Sequence, residues 1–330
     1  MVSREIVTCI GAGRMGRGIA QSVAYGGHEV RLLDARPRDG DAFDGLAGEA
    51  GAEIRQGLVA LADLGVFDRE AIPAILGRVS VWPLDRAAEA LAGAAIVFEC
   101  VPEVREAKAA AFALFDAHAA PDAILASTTS TMLSTDLAQL TRRPRFFLNA
   151  HWLNPAFLMP LVELSPCAET DAAVLGRLRA FLERLGKVPV VCKASPGYIV
   201  PRIQALAMNE AARLVEEGVA SAEDVDKAVA YGFGLRFAVL GLLEFIDWGG
   251  GDILYRASNY LAHALDDERF APPDIVRANM EAGRIGLKSG TGFFDYAGVD
   301  VEAYRRRRMA AFVDALRANG LLRPPAGEIP

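Results

Sequence analysis

The sequence predicts an α/β fold: a doubly wound, mostly parallel sheet followed by an all-helical C-terminal domain. Three observations predict it. Short apolar runs alternate with helical patterns through the first two-thirds of the 330 residues. A glycine-rich turn directly follows the first apolar run and opens a helix. After Ser195-Pro196-Gly197 the strand signal stops, and 203–217, 222–230 and 252–264 all read as helices. The boundary is placed at 194, giving domains of 1–194 and 195–330, each long enough to bury its own core.

The strands are expected at 7–10, 30–34, 79–82, 96–99, 124–127, 146–149, 161–164 and 188–191. Each is a short apolar run of the kind that is buried on both faces. Helical stretches at 16–25, 106–118 and 171–185 cross between them. The turn after the first strand is Gly11-Ala12-Gly13-Arg14-Met15-Gly16. The first glycine permits a tight turn, the second lets a pyrophosphate approach the backbone, and the third lets helix and strand pack closely. The helix N-terminus then offers free N–H groups and a positive dipole to the phosphates. Asp34 closes the second strand, where a carboxylate can accept from the ribose hydroxyls and repels a 2′-phosphate. Strand, fingerprint, helix, strand and acid in register make the first domain Rossmann-type and favour NAD over NADP. Arg36 and Arg38 soften that preference slightly.

Composition excludes several classes. With 52% hydrophobic residues the chain is not disordered, and its net charge of −7 argues against a nucleic-acid partner. Arg305–Arg308 is read as the solvated face of a C-terminal helix. Cys9, Cys100, Cys167 and Cys192 are far apart, show no metal-type spacing and read as reduced thiols of a cytoplasmic protein. No leader is read at the start, and no apolar run is long enough to span a bilayer.

His151 ends an apolar run in Ala150-His151-Trp152-Leu153-Asn154-Pro155, and Glu163 returns from the next strand twelve residues later. An imidazole titrates near neutral pH, and a carboxylate partner can fix its tautomer and stabilise its protonated form. Of the other histidines, His28 is read as a turn cap, and His118 and His263 as helix-surface residues.

Further motifs follow in order: Glu99-Cys100-Val101-Pro102-Glu103 with Lys108 beyond it, Ser127-Thr128-Thr129-Ser130-Thr131, Leu161-Val162-Glu163 and Ser195-Pro196-Gly197-Tyr198-Ile199-Val200. Gly286-Leu287-Lys288-Ser289-Gly290-Thr291-Gly292-Phe293-Phe294-Asp295-Tyr296 completes the set. In this order and spacing the chain resembles the 3-hydroxyacyl-CoA dehydrogenase family from about residue 5 to residue 296. The resemblance implies an NAD domain, a helical domain that dimerises, and (S)-specific oxidation of a 3-hydroxyl to a 3-oxo group on a small-molecule substrate. It implies His151 as catalytic base, Glu163 as its partner and Ser130 as the serine touching substrate oxygen and nicotinamide. Glu103 and Lys108 then line the nicotinamide-ribose side of the cofactor, and Asn154 shapes the substrate cleft.

The chain departs from the family in three places. Pro201 stands where the family places a catalytic asparagine, and proline cannot donate a hydrogen bond. The region 41–77, which is basic in the acyl-CoA enzymes, has seven acidic residues against two basic ones, a poor surface for a polyanionic nucleotide. Gly234-Leu235-Arg236-Phe237-Ala238 resembles a segment of the L-gulonate 3-dehydrogenase and carnitine dehydrogenase branches, where Arg236 could clamp a substrate carboxylate. Trp152 is open to two readings, pocket wall or core. These features lean towards a substrate without CoA. The alternatives are a short-chain 3-hydroxyacyl-CoA dehydrogenase and a cofactor-binding structural protein, as crystallin relatives of the family are.

Overall fold

The computed structural model describes residues 4–323, 325 and 326. The chain divides into two compact units between Ala207 and Met208. The first contains one eight-stranded sheet. Its strands are β1 (Ile6–Ile10), β2 (Glu29–Leu33), β3 (Val79–Trp82), β4 (Ile96–Glu99), β5 (Ile124–Ser127), β6 (Phe147–Trp152), β7 (Leu161–Pro166) and β8 (Val188–Val191). They lie in the order β3-β2-β1-β4-β5-β6-β7-β8. The first six are parallel, β7 runs antiparallel to β6, and β8 is parallel to β7. All eight lie where the apolar runs put them. The α/β, doubly wound reading therefore holds, with one reversal at β7.

The strands read as continuous apolar runs because both faces are covered. Helices α1 (Arg14–Tyr25), α2 (Gly40–Asp63), α3 (Ile72–Leu76), α4 (Ala87–Leu91), α5 (Arg105–His118), α6 (Ser134–Leu137) and α7 (Ala172–Arg184) connect them. Val7, Cys9, Ile96 and Phe98 point to a core formed with Ile19 of α1, Ile54 of α2 and Phe181 of α7. Ile10, Val97 and Leu125 point the other way, onto α4 and α5 through Leu91, Phe112 and Phe115. Each fully buried Phe or Ile contributes roughly 1.5–3 kcal/mol of transfer free energy. The chain leaves β1 towards β2 and returns on the far side to β4, so a crevice opens beyond the carboxyl ends of β1 and β4.

His28 does not cap its own turn. It is 2% exposed, its Nδ1 accepts the Glu5 N–H, and its ring packs on Phe181. Burial, the largest cause, lowers its pKa below the ordinary histidine value. His118 and His263 are exposed on their helices.

Helix α8 (Val200–Glu216) contains the division between the units. The second unit continues through α9 (Ala222–Ala228), a π-helical stretch (Val229–Gly234), α10 (Leu235–Val239), α11 (Leu242–Gly249), α12 (Gly251–Ala264), α13 (Asp274–Glu281) and α14 (Val301–Ala318). Pro201 does not break α8, because it sits in the first turn, where a missing N–H leaves no intrahelical bond unmade. In the second unit the buried Asp247 of α11 accepts from the Phe293 and Phe294 N–H groups and the Tyr296 hydroxyl. One carboxylate thereby shapes the glycine-rich segment 286–296. Among the described residues no single helix is long and apolar enough to cross a membrane.

Candidate active site

The crevice at the switch between β1 and β4 is a cleft of about 510 Å³, lined by the glycine turn, Asp34, Glu103, Lys108 and Ser130. Gly11 has φ +116°, and a Cβ there would stand 2.7 Å from the Cys100 carbonyl oxygen, so only glycine fits. A Cβ on Gly16 would overlap the Gly11 carbonyl oxygen. Gly13 differs: its Cβ would meet nothing within 4 Å. Its bareness serves no contact inside the protein and leaves the backbone open to a ligand. Gly13 is the N-cap of helix α1 and offers no side-chain cap, so the first N–H groups of the helix are free for an anion. Met15 packs onto the core, and Arg14 is exposed at the lip. These residues fit a bound dinucleotide pyrophosphate.

Asp34 lies at the carboxyl end of β2, 4% exposed. Its Oδ2 is 2.6 Å from Arg38 Nε, and its Oδ1 accepts the Arg36 N–H at 3.2 Å. The carboxylate expected to receive the ribose hydroxyls is thus paired with the arginine that could welcome a 2′-phosphate. Asp34→Ala should remove the acceptor and release Arg38 together. The ratio of kcat/KM for NAD over NADP should fall at least ~10-fold, about 1.4 kcal/mol. An unchanged ratio in steady-state assays with both cofactors would refute this role for Asp34.

Lys108 is less available than the sequence suggests. Its side chain is 1% exposed, and its Nζ lies 3.1 Å from both Glu99 oxygens and 3.3 Å from Glu103. Glu99, fully buried, also accepts the Ser127 hydroxyl and the Val101 N–H. Burial raises its pKa despite Lys108. Glu103 accepts the Thr129 hydroxyl and the Ser130 N–H. Its burial works to raise the pKa, but the Ser130 N–H, Lys108 and Thr129 outweigh that, and the net shift is downward. Glu103 is therefore a carboxylate that holds the Thr129–Ser130 turn. Ser130 itself is exposed in the cleft, and its hydroxyl has no partner among the described residues.

His151 and Glu163 are direct cross-strand partners on β6 and β7. His151 Nδ1 is 2.9 Å from Glu163 Oε2, with both side chains buried. The other Glu163 oxygen accepts the N–H groups of Ile199 and Val200, at 2.9 and 2.8 Å, where α8 begins. The carboxylate orients the imidazole with Nδ1–H towards itself and leaves Nε2 without a partner among the described residues. On one ring face lies Tyr198, stacked at 4.9 Å with 7° between planes. The Tyr198 hydroxyl donates to the Thr129 carbonyl and accepts from Asn149 Nδ2, both at 2.9 Å. Gly197 and Tyr198 have φ of +76° and +45°. For a tyrosine that conformation costs about 1–3 kcal/mol, which these contacts must offset.

Asn154 is exposed and lines a second cavity of about 360 Å³ together with Arg14, Arg17, Gln21 and Glu53. The segment after it is clamped by buried Lys187, whose Nζ donates to the carbonyls of Ala156, Phe157 and Met159. Burial lowers the Lys187 pKa. Trp152 proves to be core: it is 3% exposed, packs edge-on to Phe98 and lines neither cavity. Arg236, in the second unit, is exposed over the Phe245 ring and pairs with no carboxylate among the described residues. On α2 and the turn after it, Asp41, Asp44, Asp68 and Glu70 are exposed, while Glu49 and Glu53 pair with Arg17.

Sequence reasoning missed Asn149, Tyr198, Glu99 and Lys187 as parts of this neighbourhood. Tyr198 and Glu99 lie inside motifs already singled out. Asn149, a polar residue inside an apolar strand, was the signal that could have found its network.

Comparison with known proteins agrees with the geometry. Residues 6–195 match the 3-hydroxyacyl-CoA dehydrogenase NAD-binding domain, and residues 197–296 match the C-terminal domain of the same family. A probable 3-hydroxybutyryl-CoA dehydrogenase of Bacillus subtilis is 33% identical over 287 residues, covering 87% of this chain and 95% of the relative. A 5-formyl-3-hydroxy-2-methylpyridine 4-carboxylate 5-dehydrogenase of Mesorhizobium japonicum is 30% identical over 317 residues, covering 94% and 97%. Among solved structures, a 3-hydroxyacyl-CoA dehydrogenase of Archaeoglobus fulgidus superposes with a TM-score of 0.75 at 32% identity, covering 97% of this chain and all of that one. With fold, dinucleotide cleft and both family domains in agreement, the chain belongs to the 3-hydroxyacyl-CoA dehydrogenase family and is an NAD-dependent oxidoreductase.

Proposed function

We propose that the chain reversibly oxidises the C3 hydroxyl of a small free 3-hydroxy acid or a closely related small carboxylate. The observation that carries the reading is the buried cross-strand pair His151–Glu163, one tyrosine away from the turn that bears Ser130. Neutral His151 takes the hydroxyl proton at Nε2 as the C3 hydride departs. Glu163, held by two backbone N–H groups, stabilises the imidazolium that forms. Ser130 donates to the same substrate oxygen as charge develops on it. When bound, NAD supplies the hydride acceptor. In the reverse direction His151 returns the proton to the forming alkoxide.

The lean away from CoA rests on exposed acids along α2 and the following turn, and on Arg236 as a free cation among the described residues. The pyridine-carboxylate relative, matched over almost the whole of both chains, supports the same lean. The rival is a 3-hydroxybutyryl-CoA dehydrogenase, the activity named for several relatives. NADH formation from 3-hydroxybutyrate and related free acids should exceed that from 3-hydroxybutyryl-CoA at equal concentration. Equal or faster turnover of the thioester would overturn the preference.

A homodimer through the second unit belongs to the same proposal. Among its described residues only Val225, Leu240, Val276, Leu287 and Tyr296 are buried hydrophobics, whereas Met208, Val219, Tyr231, Ile253 and Tyr260 are more than half exposed. So small a core is poor support for a unit of this length, and a second copy would cover the remainder. Light scattering should give twice the mass of the 330-residue chain; a monomer mass at micromolar concentration would refute it. The proposed setting is the cytoplasm, supported by cysteines that are all unpaired thiols.

A further inference from the structure

We propose that Tyr198, acting with Asn149, is a positioning residue that sets Ser130 in register with His151. The inference rests on the roles read above for those two residues. Two carbonyls bracket Ser130. The Thr129 oxygen accepts from the Tyr198 hydroxyl at 2.9 Å, and the Met132 oxygen accepts from Asn149 Nδ2 at 3.0 Å. The amide's second N–H then donates back to the Tyr198 oxygen at 2.9 Å. Because both carbonyls can only accept, every proton in this chain has one place to go: the phenol must donate to Thr129, and the amide must donate to Met132 and to the phenol. Burial raises the Tyr198 pKa, which keeps the hydroxyl a donor across the working range.

The same tyrosine ring lies parallel to the His151 imidazole. One side chain therefore touches the plane of the base with its face and the serine turn with its tip. Asn149 is fully buried on β6, two residues before His151, so the tether is anchored in the strand that carries the base. The neighbouring Ile199 and Val200 N–H groups hold Glu163, so the turn that places Tyr198 also places the partner of the base. Glu103 holds the serine turn from the other side, through Thr129 Oγ1 and the Ser130 N–H. Loss of the phenol oxygen would leave the Thr129 carbonyl without its donor and the Asn149 amide without one of its two acceptors. Catalysis depends on such alignment to within fractions of an ångström.

The test is a double-mutant cycle of Y198F and S130A. Rates of NAD reduction are measured with the faster of 3-hydroxybutyrate and 3-hydroxybutyryl-CoA and divided by the number of sites that bind NADH. Phenylalanine keeps the stack and removes only the hydroxyl. Y198F should lower kcat about tenfold with KM for NAD unchanged, and the double variant should lie within twofold of S130A alone. If the two losses multiply, or if Y198F lies within twofold of wild type, the tyrosine does not act through Ser130 and the proposal falls. A wild-type rate for S130A would instead remove the role of Ser130 itself, and this proposal with it. A purely structural role for the hydroxyl would lower the number of NADH-binding sites without lowering the rate per site, which also counts against it.

Discussion

His151→Ala should lower kcat for alcohol oxidation by about three orders of magnitude, within the ~10²–10⁴ range of a positioned general base. At ~1.4 kcal/mol per decade that is roughly 4 kcal/mol of barrier. NAD affinity should stay within twofold, because His151 does not line the dinucleotide cleft. Folding should survive, since Glu163 keeps the Ile199 and Val200 N–H groups after the imidazole is gone. Glu163→Gln tests the same pair from the other side. The amide oxygen can still accept from the two backbone N–H groups, but its NH₂ would then face His151 Nδ1. That forces Nδ1 to accept and puts the ring proton on Nε2, the nitrogen that must take the substrate proton. Glu163→Gln should therefore cost at least ~10² in kcat while changing side-chain volume little. Steady-state rates with NADH titrations check both variants. Residual activity within tenfold of wild type for either one would mean that the proton goes elsewhere.

Gly16→Ala should abolish NADH binding under ordinary assay conditions, a loss of at least ~100-fold in affinity. The added methyl would overlap the Gly11 carbonyl oxygen and lie 3.5 Å from the Leu32 side chain. A backbone oxygen cannot rotate aside, so α1 must move off β1. Its free N–H groups then leave the position where they meet a pyrophosphate. Overpacking of this kind also destabilises by roughly 1–3 kcal/mol. Gly13→Ala is the informative companion. With open space around its Cβ it should leave the melting temperature unchanged and still weaken NADH binding, because the methyl enters the ligand's space. Fluorescence titration and thermal melts of the two variants separate packing from ligand approach. A Gly16→Ala protein that binds NADH within threefold of wild type would show that the helix is not fixed by this contact.

The sheet was legible because every strand is a short apolar run, and alternation with helices left few ways to arrange them. The reversal at β7 was not legible, since strand direction leaves no trace in a run as short as Leu161–Pro166. Pairing with β7 also lengthens β6 to Trp152, which moves His151 from a strand end to a strand interior. The His151–Glu163 pair was found by residue type and spacing. Its supporting contacts were not, because Tyr198, Asn149 and the backbone N–H groups of Ile199 and Val200 come together only through the fold. Lys108 lines the cleft where its motif put it, but its engagement by buried Glu99 and exposed Glu103 was not legible in the sequence. His28 was misread because a Gly-His-Glu turn hides the Phe181 ring and the Glu5 N–H that bury it.

The cross-strand placement of His151 and Glu163 has a consequence for how this scaffold can change. Both side chains stand on neighbouring strands, whose spacing is set by the backbone ladder, while Ser130, Asn154 and the turn before α8 are loop or helix-end residues. The loop around Asn154 can be remodelled without retuning the proton donor and acceptor, because no hydrogen bond among the described residues ties Asn154 to either one. For an engineer, the segment 153–159 is the place to diversify when a new substrate is wanted, whereas β6, β7 and the turns that hold Ser130 and Glu163 are the places to leave alone.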